Sequence, residues 1–275
     1  MGKHPAEVFG YSIEVSTPEA RGIRAKHWCP FMDKVCDKKS RLLTYPMGVC
    51  SVRYRDDIIA ICPHRFLQDQ IVIGDIADQY FGDRNDLLLF PEVGLRGLGS
   101  FDFVLVRHKP MSSDIEDFVL IEFQTDQTTS TGELVEGLRH FVAGQDIVGR
   151  TYQFGMNTYD TLKRSYTQIL NKGVVIESWG QRIYWVFQEY VYRNLSQRYN
   201  LDLAYDQSKA TVFALYDLKS QTGRLTLAHS RSLSATIDEL FYALRHNPNI
   251  PKKDALVKAL KKRIAKQTPA LRLRF

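Results

Sequence analysis

The chain has 275 residues, 44% of them hydrophobic and 12% aromatic, enough for one large α/β or α+β domain with a small appendage. No apolar run reaches membrane-spanning length, and the opening MGKHPAEVFGYS lacks the apolar core of a signal peptide, so a soluble, intracellular protein with no membrane partner is expected. The formal net charge is +6, but 251–275 alone holds nine Lys or Arg and one Asp, leaving 28 basic against 30 acidic residues before it; bulk charge therefore does not by itself make the body a nucleic-acid binder.

In chain order, cysteine is the first informative feature. Cys29, Cys36, Cys50 and Cys62 lie within 34 residues, and the 213 that follow hold none. With no secretory signal, disulfides are not expected, and clustered thiols point to a metal. Four thiolates favour zinc or iron in a closed, structural, tetrahedral site. The spacing C-x6-C-x13-C-x11-C differs from the paired C-x2-C of zinc ribbons, so the plainer alternative is four reduced, partly buried thiols. His27 and His64 are substitute ligands in reach of the same segment. Residues 1–66 are read as a metal-stapled module, poor in long periodic segments, in which metal binding contributes directly to folding.

Residues 67–250 are read as the core. A helix is expected within 68–80, from Ile71, Ile73, Ile76 and Ala77, and a strand at 86–95 (DLLLFPEVGL). Glu92 in that strand is a spare carboxylate, read as a solvated loop acid rather than a ligand. The next stretch organises the rest. GSFDFVLV and FVLIEFQ each read as a strand, joined by a polar link. Side chains alternate along a strand, so Glu122 and Gln124 share one face, and antiparallel pairing puts Asp102 beside them. Two carboxylates held together must take up a proton or share a cation. Hard oxygen ligands of this kind suit Mg²⁺, which takes one or two carboxylates and leaves its other positions to water and phosphate. The D…ExQ arrangement resembles the D…ExK active-site pattern of the PD-(D/E)XK nuclease fold, with Gln124 where lysine usually stands. Glutamine cannot act as a base but can orient an attacking water. Taken alone, the motif is also what unrelated sheets contain at their strand ends.

Beyond Gln124, helices are predicted at 133–142, with Leu134, Leu138 and Phe141 inward, and at 158–171, with Leu162, Tyr166, Ile169 and Leu170 inward. Lys163, Arg164 and Lys172 lie around the second, as phosphate contacts or simply a solvated face. GVVIES and RIYWVFQ read as two further strands. A polar helix follows at 189–199, then a hairpin from ATVFALYDL and RLTLAHS turned at 220–223. Another helix is read at 234–245, with Ile237, Leu240, Phe241 and Leu244 on one face. The tail, 251–275, carries a basic amphipathic helix at 252–266 with Leu256, Leu260 and Ile264 on one side. That helix could clamp DNA phosphates, releasing counterions, or lie solvated.

Several segments together resemble NotI-type restriction endonucleases. They are VFGYS from Val8, WCPFMDKVC from Trp28, GVCSV from Gly48, ICPHR from Ile61, DFVLV from Asp102, IEFQTDQTTSTG from Ile121 and KGVV from Lys172, in the family's order. The joint order of a four-cysteine module and a D…ExQ site is more specific than either part. The resemblance implies a PD-(D/E)XK α/β core, a central mixed sheet flanked by helices, behind a small N-terminal four-cysteine module. It implies a structural metal, iron or zinc, on Cys29, Cys36, Cys50 and Cys62. Asp102, Glu122 and Gln124 become the catalytic set, with Mg²⁺ on Asp102 and Glu122. The family already uses glutamine at the lysine position, so Gln124 agrees with it.

The expected protein is thus a homodimeric type II restriction endonuclease of the prokaryotic cytoplasm. It would hydrolyse double-stranded DNA at a GC-rich palindrome with Mg²⁺ and leave 5′-phosphate ends. Arginine is the expected reader of guanine, with Arg150, Arg193 and Arg198 as candidates. Two alternatives belong to other classes: a non-catalytic DNA-binding protein built on the metal module and basic tail, or a metal-dependent nuclease acting on modified or single-stranded DNA.

Overall fold

The structure, a computed structural model, describes residues 2–221 and 224–266. The N-terminal segment builds a sheet of its own. Strands β1 (Lys3–Val8), β2 (Tyr11–Ser12), β5 (Val49–Tyr54) and β6 (Asp57–Ala60) pair antiparallel in the order β2-β1-β5-β6. Helix α1 (Pro18–Ala25) starts on Thr17, whose hydroxyl accepts the Ala20 N–H, with proline at the first helical position where no N–H is needed. A short ribbon, β3 (Trp28–Cys29) with β4 (Lys34–Val35), carries the first thiols.

A 3-10 turn at Pro63–Gln70 leads into α2 (Ile71–Phe81), and β7 (Leu87–Leu95), β8 (Gly99–His108) and β9 (Ile115–Gln124) follow as an antiparallel meander. A small pair, β10 (Thr128–Thr129) and β11 (Gly155–Met156), flanks α3 (Thr131–Val142). Then come α4 (Thr158–Ser178), β12 (Ile183–Gln188), α5 (Glu189–Tyr199), the long hairpin β13 (Thr211–Gln221) and β14 (Arg224–Ala235), α6 (Ile237–Arg245) and α7 (Lys253–Ala265).

The six central strands run β14-β13-β12-β9-β8-β7. β12 lies parallel to both β9 and β13, and the outer pairs are antiparallel, so the sheet is mixed. Every residue of β12 is buried, as a strand covered on both faces requires. Strand alternation divides the core. Val119, Ile121 and Phe123 of β9 pack on the α2 side, and Leu120 packs with α4 and α5 on the other. A third cluster joins the N-terminal sheet to α3 through Val8, Val49, Leu134 and Leu138.

One expectation fails. GVVIES is not a strand but the last turns of α4, which runs unbroken to Ser178. A short β-branched run looks alike in a strand and in a buried helix, and period alone does not separate them. In the helix the burial is periodic: Ile169, Lys172, Gly173 and Ile176 are buried, whereas Val174 is half exposed. Gly173 is needed there for close approach, since a Cβ would lie 2.2 Å from Ile237 Cδ1. The helix expected from residue 234 begins at Ile237, because Ser234 and Ala235 extend β14; of its inward set only Ile237 and Leu240 are buried, while Phe241 and Leu244 are exposed. The turn expected at 220–223 lies partly outside the described residues.

The two sheets are held by buried polar groups. Arg65 and Glu7 have no exposed side-chain surface and pair at 2.9 Å. The remaining Arg65 donors reach Gln68 Oε1 at 2.8 Å and the Leu225 carbonyl at 2.7 Å, while Ser51 donates to Glu7 at 2.8 Å. The Gln188 side-chain amide, at the end of β12, donates to the Ile58 carbonyl and accepts the Ala60 N–H at 2.8 Å, acting as one rung of a strand ladder against β6. Removing one partner from a buried pair leaves an uncompensated charge, which costs about 3–5 kcal/mol. Arg65→Met is therefore expected to lower stability to urea by about that amount, and an unchanged unfolding midpoint would refute this account of the junction.

Candidate active site

β8 and β9 bring Asp102 and Glu122 together. Phe103 pairs with Ile121 across the ladder, so one step further Asp102 faces Glu122 and their side chains rise on the same side of the sheet. The Asp102 carboxylate is held by the other strand's backbone: its Oδ2 accepts the Phe123 N–H at 2.7 Å. This cross-strand bond orients Asp102 through the backbone of β9.

The third member of the set, Gln124, shares Glu122's face but points to α4. Its Oε1 accepts from Ser165 Oγ at 2.7 Å, and its Nε2 donates to Gln168 Oε1 at 3.3 Å. Next to it, Asp126 is buried and caps the start of α4, accepting from Thr158 at 2.6 Å and Thr161 at 3.0 Å. The same helix supplies a residue that sequence reading left on a solvated face or against phosphate. Lys172 is 6% exposed, forms an ion pair with Glu122 Oε1, and donates to the Ser100 carbonyl at 2.7 Å. Its signal was present: Ser165, Gln168 and Lys172 fall at i, i+3 and i+7, along the row of α4 that meets β9.

Burial sets the electrostatics. Glu122 is pushed up to about 7, chiefly by desolvation; the hydrogen bond from Lys172 opposes the rise and the charge of Asp102 adds to it. Asp102 is raised by the same desolvation, with the Phe123 N–H opposing. Two further groups reach Asp102 by charge, Glu92 of β7 and His64 of the 3-10 turn. Glu92 stands exposed in a left-handed backbone conformation (φ 52°). His64 is pulled down by burial and lies 4.0 Å from Asp37.

The thiols of Cys29, Cys36, Cys50 and Cys62 are reduced, and burial raises Cys29, Cys50 and Cys62. Each of these three feels the charge of others in the set, which places them around one region. Backbone N–H groups aim at three sulfurs: Phe31 and Met32 at Cys29, Gly10 at Cys50, and His64 at Cys62. Such donors favour the thiolate, and the donor chemistry fits a thiophilic metal. Among the described residues, however, no group of three or more His, Cys, Asp or Glu is gathered closely enough to hold a metal ion. His27 does not join the set; its ring stacks on Tyr45 at 5.4 Å.

The candidate base readers are dispersed. Arg150 bonds Gln145 at 3.3 Å, Arg193 bonds Asp57 at 3.4 Å, and Arg198 lies over the Tyr159 ring at 4.1 Å. Lys163 is paired with Asp160 at 2.7 Å, and both it and Arg164 stay on the exposed side of α4. No described helix is long and apolar enough to cross a membrane.

Residues 7–227 match the family described as restriction endonuclease NotI. No curated protein matches the chain.

A carboxylate whose folded pKa is raised binds its proton more tightly when folded, so its ionisation subtracts stability as pH climbs from the ordinary value of 4.5 toward about 7. Carbon-13 NMR of the metal-free protein is expected to show one glutamate titrating near 7, assigned to Glu122 by its loss in Glu122→Gln. In Lys172→Met the midpoint moves higher still, because the opposing hydrogen bond is gone. A midpoint near 4.5 would contradict the buried placement.

Proposed function

The chain belongs to the NotI restriction endonuclease family and is a site-specific type II restriction endonuclease acting on double-stranded DNA; from that premise we propose that Asp102, Glu122 and Gln124 carry the cleavage. The observation behind this reading is the cross-strand clasp, in which two carboxylates 20 positions apart in sequence share one end of the β8–β9 pair and one side of the sheet. Two acids with a neighbouring backbone carbonyl fit Mg²⁺, which takes few protein ligands and keeps the rest of its shell for water and phosphate. When bound there, Mg²⁺ would polarise the scissile phosphate and lower the pKa of a coordinated water.

The chain's own residues do the rest. Asp102 and Glu122, with the Phe123 carbonyl, hold the ion. The Phe123 N–H keeps the Asp102 carboxylate oriented before DNA arrives, and Lys172 that of Glu122. The Gln124 amide has a second N–H beyond the one given to Gln168, and this orients the attacking water. The water oxygen bonds to phosphorus in line with the departing O3′, the P–O3′ bond breaks, and solvent takes up the water's proton and protonates the 3′-oxygen. The products are 5′-phosphate and 3′-hydroxyl ends.

A two-fold homodimer reading a GC-rich palindrome places one such site on each strand. Helix α7 contributes phosphate contacts through its lysines; it presents Leu256, Leu260 and Ile264 to solvent, so it is not packed into the core of this chain. The N-terminal thiols hold iron or zinc structurally, drawing together on the backbone donors already aimed at them.

Glu122→Ala is expected to abolish cleavage of a phage genome in Mg²⁺ while retaining DNA binding in Ca²⁺. Sequenced fragment ends of the wild type should share one palindrome. Cleavage by Glu122→Ala, or ends without a common sequence, would sink this reading. Elemental analysis of purified protein is expected to show one iron or zinc per chain, and Cys62→Ser should lose both that metal and several degrees of melting temperature. A metal-free protein that melts normally would remove the structural role.

A further inference from the structure

Phosphoryl transfer places growing negative charge on the phosphate oxygens, and the site already holds two carboxylates. The strand that carries Glu122 offers only a neutral amide at 124. Positive charge comes instead from the helix laid across it. Lys172 reaches in from α4, pairs with Glu122, and sits 5.0 Å from the centre of the Phe101 ring. Its ammonium has three donors; Glu122 and the Ser100 carbonyl take two, which leaves one for an incoming oxygen.

A purely structural lysine is hard to justify at this position. On α4 it falls in phase with Leu162, Ile169 and Ile176, all buried. An apolar side chain there would avoid desolvating an ammonium, and buried ion pairs give little net stability over apolar replacements. The helix is also registered on the strand. Ser165 and Gln168 grip Gln124, and one or two turns further on Lys172 meets Glu122, so the two contacts fix both the rotation of α4 and its slide along β9.

We propose that Lys172 is a catalytic residue of this nuclease: its ammonium supplies, from α4, the positive charge that β9 lacks, and donates to a non-bridging oxygen of the scissile phosphate. Gln124 keeps its role beside the attacking water, and its bonds to Ser165 and Gln168 also hold that helix in register. No proton is moved through Lys172 in this step. This rests on the carboxylate site proposed above.

The test is a relocation. Lys172→Gln keeps a hydrogen-bond donor for Glu122 and removes the charge; Lys172→Gln with Gln124→Lys returns the charge from the strand. In single-turnover cleavage at saturating DNA, Lys172→Gln should lose about 100- to 1000-fold in rate, with DNA affinity in Ca²⁺ close to wild type. The double variant should cleave well above Lys172→Gln with Gln124→Met, which gives up the same amide without returning the charge. A positioning defect alone would not be repaired by moving the charge to a different element. Wild-type cleavage by Lys172→Gln overturns the proposal, as does a lysine-bearing double variant no faster than the methionine-bearing one. Glu122→Ala serves as the control. If it still cuts, the carboxylate site itself is misassigned; if it is inactive while Lys172→Gln cuts normally, only the role of Lys172 falls.

Discussion

The contact on which the candidate site depends is that between α4 and β9, where a buried ammonium meets a buried carboxylate. Glu122 is desolvated by the sheet around it, and its charge is tolerable only because Lys172 lies against it. Lys172, in turn, is placed there by a helix whose pitch is fixed by Gln124, Ser165 and the missing side chain at Gly173. Catalytic geometry and core packing are thus the same set of contacts seen from two sides. Strand alternation explains why they can coexist: odd residues of β9 fill the α2 core with Val119, Ile121 and Phe123, and even ones are left for Glu122 and Gln124.

The thiol-bearing segment stands close to this machinery. Cys62 is followed by Pro63 and then His64, whose charge reaches Asp102 and whose N–H points back at the Cys62 sulfur. Gly10, in the tight link between β1 and β2, has no room for a Cβ because Pro30 lies against it, and its N–H points at Cys50. The thiol-bearing layer and the strand that carries Glu122 meet at the 3-10 turn, where Phe66 packs on Phe123 at 5.5 Å.

Much of the candidate site was readable before any coordinates. Asp102, Glu122 and Gln124 follow from period-two alternation in a hairpin, which is local and strongly patterned. Lys172 did not follow: its place in one row with Ser165 and Gln168 is visible in the sequence, but only the partner on a strand 50 positions away shows that this row faces β9. The same lack of a local signal turned the end of α4 into an expected strand. The clustering of the cysteines was obvious in sequence, but how closely four thiols approach is set by turns with left-handed residues such as His27 and Asp33, whose φ values of 50° and 47° no propensity announces. The N-terminal sheet was equally hidden, since its strands are short and its closest partners, Glu7 with Arg65 and Gln188 with β6, lie far apart along the chain.

Strand β7 carries a different consequence. It closes one side of the central sheet with Leu88, Leu89, Phe90, Val93 and Leu95 all substantially exposed, the profile of a template for runaway strand addition. Pro91 has no N–H to offer a newcomer, and the left-handed backbone at Glu92 interrupts the pairing for one residue before it resumes at Val93. What remains on either side is too brief to nucleate a cross-β stack, so a margin greasy enough to aggregate is kept harmless by two adjacent residues in its middle.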